Sequence, residues 1–150
     1  MTPEEVPAGP LLVDTDVLSW VALGKSPGDR FAPLLTGHQL FTCFVTIAEA
    51  RTFLRMNVLA CERAEALRAG LNDYALLPVR LDDVVSEWVT LRAATISVGT
   101  ADDRERRQND TWIAACALSV DPPLPVVTGN LRDFTTLARG SSLRIIHPDM

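Results

Sequence analysis

Leu11–Trp20 reads LLVDTDVLSW, and the order of its residues decides the fold. Leu11, Leu12 and Val13 form a short, continuous apolar run, the pattern of a strand covered on both faces. Val17, Leu18, Val21 and Ala22 then recur at helical spacing, so a helix begins close to Asp16. Asp14 therefore ends a buried strand. Asp16 stands near a helix amino terminus, where accepting backbone N–H groups as a cap is its ordinary role. In an open α/β sheet, ligands bind beyond the carboxyl ends of the strands, which is where Asp14 lies.

The rest of the chain repeats the alternation. LFTCFV (Leu40–Val45) is aromatic and β-branched enough for a second buried strand. The helix of TIAEARTFLRM comes next, with Thr46 as the expected cap and Glu49 three residues on, the spacing of a capping box. Ile47, Ala50, Leu54 and Val58 form its inward stripe. A helix over ACERAEALRAGLNDY precedes the brief strand LLPVRL, whose Pro78 suits an edge. Asp82 caps the next helix, and the polar segment VGTADDRERRQND reads as a loop. TWIAACALSV is helical, LPVVTGN is strand then turn, NLRDFTTLA is turn then helix, and LRIIHP is a last strand. Strands alternating with helices imply an α/β fold with a parallel sheet. At 150 residues the chain fits one domain, residues 11–150, behind a loose proline-rich lead-in over residues 1–10.

Composition narrows the function. No apolar run approaches the ~20 residues that span a bilayer, and MTPEEVPAGP lacks the basic and apolar regions of a secretory signal, so a cytoplasmic location with no membrane partner is expected. The three cysteines, Cys43, Cys61 and Cys116, are widely spaced and are expected to be buried thiols, not a zinc site or a disulfide. A net charge of −5 argues against a protein that holds nucleic acid by its overall field, without excluding a nucleic-acid substrate. Lys25 is the only lysine; arginine, whose planar fork suits phosphate, supplies the remaining cations.

If the strands are parallel, four acids reach one rim of the sheet: Asp14, Glu49, Asp110 at the start of TWIAACAL, and Asp133 in TGNLRDF. Each alone has an ordinary role in a helix cap. Together they are costly, since two carboxylates ~4 Å apart repel by ~4 kcal/mol at an effective dielectric of 20. Such a group needs a cation or raised pKa values. Oxygen-only ligands with no histidine or cysteine beside them select hard ions such as Mg²⁺ or Mn²⁺.

The ordered set VDTDVL, TIAEAR, NDTWIAACAL and VVTGNLRDF resembles the PIN-domain ribonucleases, most closely VapC-type toxins of type II toxin–antitoxin systems. The likeness runs from Leu11 to Pro148. It implies a single domain with a four- or five-stranded parallel sheet flanked by helices, and Mg²⁺-dependent endoribonuclease activity in which metal-activated water cleaves RNA phosphodiesters. It also implies a cognate antitoxin protein that blocks the site, and a homodimer. Carried over, Asp14, Glu49 and Asp110 match the family's acidic triad and Asp133 its more variable fourth acid, as catalytic and metal-binding residues. Thr128 and Asn130 match the polar positions that orient substrate. Asp16 stands where many relatives have Asn or Ser, and the charged segment before Asp110 is longer than the family's linker.

Two other readings remain open. A PIN-fold module that binds RNA or protein without cutting is one. DTD after a strand also resembles the nucleophile motif of haloacid-dehalogenase-like phosphatases, which need a lysine well downstream; Lys25 comes just after the first helix.

Overall fold

A computed structural model describes all 150 residues, Met1–Met150. Five strands alternate with eight helices: β1 (Leu11–Val13), α1 (Thr15–Ala22), α2 (Ser26–Leu35), β2 (Leu40–Thr42), α3 (Phe44–Arg55), α4 (Cys61–Leu71), β3 (Ala75–Leu76), α5 (Leu81–Thr95), α6 (Ala101–Arg106), α7 (Gln108–Leu118), β4 (Val126–Val127), α8 (Leu131–Ala138) and β5 (Ile145–Ile146). The sheet order is β3-β2-β1-β4-β5, and every pairing is parallel. The fold is therefore the α/β parallel sheet expected, with five strands.

Side chains of a strand point alternately to opposite faces, and β1 uses both. Leu12 joins Val126, Ile145 and residues of α5, α7 and α8 in one apolar cluster. Leu11 and Val13 join Val127, Ile146 and residues of α1, α2 and α4 in the other. Leu11, Leu12 and Val13 are all fully buried. At roughly 1.5–3 kcal/mol for each fully buried side chain of this size, β1 anchors both layers. Ahead of it, the residues expected as a lead-in carry a 3-10 turn at Pro3–Glu5, and Val6 is buried in the second cluster. No helix is long and apolar enough to cross a membrane.

Several local expectations are corrected. Helix α3 begins at Phe44, so Thr46 is inside it, fully buried, and Glu49 belongs to its second turn; there is no capping box. Its buried face is Val45, Thr46 and Ala50, while Val58 lies beyond its end and is exposed. Phe44 and Val45 are strand-favouring residues, but Val45 packs into the first cluster from a helical position, and that burial outweighs local propensity. Asp82 does not cap α5; Arg80 occupies the cap position. The segment before Asp110 is not a loop: Thr100 and Asp103 close a capping box around α6. LLPVRL contributes only Leu76 to β3, the edge strand. Cys43 and Cys116 are buried as expected, but Cys61 is exposed.

Candidate active site

Because β1 and β4 are parallel neighbours, their carboxyl ends open onto the same rim. Asp14, the first residue beyond β1, is the cap of α1: its Oδ1 accepts the Val17 N–H at 3.0 Å. Asp16, expected in that role, is instead the second residue of α1 and exposed. The other carboxylate oxygen of Asp14 accepts the Gly129 N–H at 3.3 Å, tying the end of β1 to the turn after β4. Asp14 is only 3% exposed. Burial pushes its pKa up to about 7, and the Asp16 charge adds to this, against the lowering effect of the Thr128 hydroxyl and the two backbone N–H groups.

Asp110 lies in the first turn of α7. Its pKa is also pushed up to about 7, first by burial, then by the charges of Asp14 and Asp133. Asn130 caps α8 and links the acids: its side-chain amide donates to Asp110 at 2.7 Å and to Asp133 at 3.0 Å, while its Oδ1 accepts the Asp133 N–H at 3.3 Å. The Asn130 N–H is held in turn by the Thr128 hydroxyl at 2.9 Å. Glu49 reaches in from α3. Its Oε1 accepts the Asn109 amide at 2.6 Å and its Oε2 accepts the Thr15 hydroxyl. With its one proton given to Glu49, Thr15 can accept from Thr46, 3.2 Å away.

Asp14, Thr15, Asp16, Glu49, Asp110 and Ile113 line one pocket of about 60 Å³. Of the seven positions singled out in the sequence, Asp14, Glu49 and Asp110 thus meet in it, with Asp16 added at its wall. Thr128 and Asn130 do not line it, but they hydrogen-bond to Asp14 and Asp110, which do. Asp133 does not line the pocket; Arg107 engages it, with Nε donating to Asp133 Oδ1 at 3.3 Å. Arg107 is 4% exposed, an ion pair hidden within a segment that read as solvated charge.

Thr15, Asn109 and Arg107 are the contributors that sequence reasoning missed. The Thr15 signal was available, since the residue after Asp14 at the end of a buried strand lies on the same rim. The Asn109 and Arg107 contacts join residues 60 and 26 positions apart and have no local signature.

No three of these carboxylates form a ready-made coordination cluster; each is turned onto hydrogen-bond donors of the chain. The donor set nevertheless suits a hard divalent cation. It is all oxygen, and two of its acids are held near neutral pKa by burial without a cationic partner lining the pocket. A cation there would reverse both shifts.

The family model described as PIN domain matches residues 11–138. A comparison with curated proteins found no match. Among solved structures, the chain is similar to one from Mycobacterium tuberculosis described as VapBC-5, a member of the VapBC family of toxin–antitoxin systems. Identity is 30% over 94% of this chain and 99% of that one, with a TM-score of 0.66. It shares its fold with VapBC2 from Rickettsia felis, solved bound to a DNA fragment from its promoter: 13% identity over 91% and 97% of the two chains, TM-score 0.67. The same holds for VapBC-1 of nontypeable Haemophilus influenzae, with 16% identity over 95% and 99%, TM-score 0.64.

Proposed function

Because this chain belongs to the PIN-domain family and is of the VapC type, a toxin–antitoxin nuclease family, we propose that it is a Mg²⁺-dependent endoribonuclease, with Mn²⁺ as an alternative ion, and the toxin of its pair. The observation that carries this reading is the convergence of Asp14, Asp16, Glu49 and Asp110, from three separate segments, on one pocket at the carboxyl rim of the sheet.

In this proposal Asp14 and Asp110 are the principal ligands of the divalent ion, with Glu49 beside them. The bound ion supplies Lewis-acid polarisation of a phosphodiester and makes water more acidic. The chain's own residues do the rest. The Val17 and Gly129 N–H groups hold Asp14 at the end of β1, which fixes where its carboxylate enters the pocket. Asn130 holds Asp110 and Asp133 at a set spacing. Glu49, oriented by Thr15 and Asn109, would take a proton from the attacking water. Asp133, neutralised by Arg107, acts through Asn130 or through water. Thr128, bonded to the Asn130 N–H, orients the turn that faces the substrate phosphate.

An antitoxin partner is part of the same reading. An acidic pocket is readily closed by an arginine of a partner peptide, whose fork pairs with two carboxylate oxygens. A homodimer is proposed from the family alone.

The test is cleavage of structured RNA by the purified protein in Mg²⁺, with Asp14→Asn and Asp110→Asn in parallel. The proposal expects cleavage by the wild type and its loss in both variants and in EDTA. Equal cleavage by all three proteins, or none by any, contradicts it. Co-purification with the product of an adjacent gene tests the antitoxin. Should the wild type bind Mg²⁺ and RNA without cutting, the non-catalytic module becomes the better reading.

A further inference from the structure

A second groove of about 220 Å³ adjoins the acid pocket, and Asp16 lines both. It runs between α1 and the end of α3, over Leu67 of α4. Trp20 forms one wall. Its indole lies directly on Gly129, where an added Cβ would collide with two ring carbons. Gly129 is also the residue whose N–H holds Asp14, so the ring is anchored to the same strand end as the acids. Phe53 also lines the groove and is 44% exposed, an aromatic side chain with much of its surface bare. Lys25, the only lysine in an acidic chain, lines the groove, as does Ser19, whose buried hydroxyl has no partner within the protein.

We propose that this groove is a nucleobase subsite, taking an unpaired base of the RNA whose phosphate lies at the acid pocket. The base stacks on Phe53, and Lys25 faces the adjoining phosphate. The inference deepens the nuclease reading and rests on it. Continuity through Asp16 supplies the placement, since a nucleotide bound at the acids must send its base to one side. Chemistry supplies the occupant: an exposed aromatic wall with one cation beside it is the pairing used for single-stranded nucleic acid, by stacking that tolerates any base. The acidic overall charge makes such local contacts necessary, because the field of the chain repels RNA.

The test compares binding of a six-nucleotide uridine RNA with that of an abasic ribose-phosphate chain of the same length, by fluorescence anisotropy with calcium in place of magnesium. The wild type should prefer the base-bearing chain by roughly tenfold. Phe53→Leu, which keeps the apolar bulk without a ring face, should bring that ratio close to one, and Phe53→Tyr should restore it. Circular dichroism of each variant checks that the fold is kept. Equal binding of the two chains by the wild type, or a preference unmoved by Phe53→Leu, overturns the subsite. An unmoved ratio together with loss of a co-purifying protein partner overturns it in favour of a peptide groove. RNA cleavage by the wild type alongside an unmoved ratio removes the subsite and keeps the nuclease. A ratio that collapses in a protein that cuts nothing keeps the subsite and removes the nuclease. Failure to bind either chain overturns the subsite and leaves the nuclease to the cleavage test.

Discussion

Replacing Asp14 by asparagine should make the protein more stable while destroying its site. Asp14 is almost fully buried, and its pKa rises from an ordinary value of 3.8 to about 7. At 1.36 kcal/mol per pH unit, holding this carboxylate ionised above pH 7 costs up to about 4 kcal/mol. The sign comes from proton binding. Between pH 4 and 7 the folded chain keeps a proton that the unfolded chain has released, so stability falls as pH rises across that window; below pH 4 the term vanishes. Asp110, also raised to about 7, acts in the same direction. Asparagine keeps an oxygen for the Val17 N–H and carries no charge, but its amide sets a donor against the Gly129 N–H, at a cost of about 1–3 kcal/mol. Asp14→Asn should therefore gain about 1–3 kcal/mol at pH 7.5, or about 3–9 °C in Tm. The assay is urea unfolding in EDTA from pH 4.5 to 8, for both proteins. The wild type should lose stability across the range, and the variant should lose less. Magnesium should stabilise the wild type, by about 2.7 kcal/mol at a hundred times its Kd, and leave the variant unchanged. A variant less stable than the wild type at pH 7.5 with its fold intact, or a wild type indifferent to pH, would refute the reasoning.

Other perturbations give separate expectations. Arg107→Met strands Asp133 in a largely buried position, and urea unfolding should show a loss of about 3 kcal/mol. Gly129→Ala places a methyl group against the Trp20 indole; the ring must move, with a loss of about 1–3 kcal/mol and a changed near-ultraviolet dichroism. Leu12→Ala opens a cavity between β1 and the layer of α5, α7 and α8, and should lower stability by about 2–5 kcal/mol in the same measurement. Asn130→Ala removes the donor between Asp110 and Asp133; RNA cleavage should fall at least tenfold, with Mg²⁺ affinity weakened as well.

The sequence was legible wherever the chain encodes its structure locally. An unbroken apolar triplet before Asp14 marks a strand covered on both faces, and strand–helix alternation places later helix starts on the rim where Asp14 emerges. That is enough to bring Asp14, Glu49 and Asp110 together from residue order alone. The start of α3 was not legible, because Phe44 and Val45 favour strands and only their packing makes them helical. For α6 a signal existed in the spacing of Thr100 and Asp103, but the run of charges around it suggested a solvated loop. Asp133 pairs with one arginine buried by tertiary contact and does not line the pocket. Composition describes that residue's class and not its burial.

Catalysis as proposed turns on a divalent ion held by acids from distant parts of the chain. A crystal soaked in Mn²⁺ and measured at the manganese absorption edge tests this most directly. The expected result is an anomalous peak in the pocket, within coordination distance of Asp14 and Asp110 and on the side facing Glu49. A peak elsewhere on the surface, or none in the pocket at millimolar Mn²⁺, would contradict it.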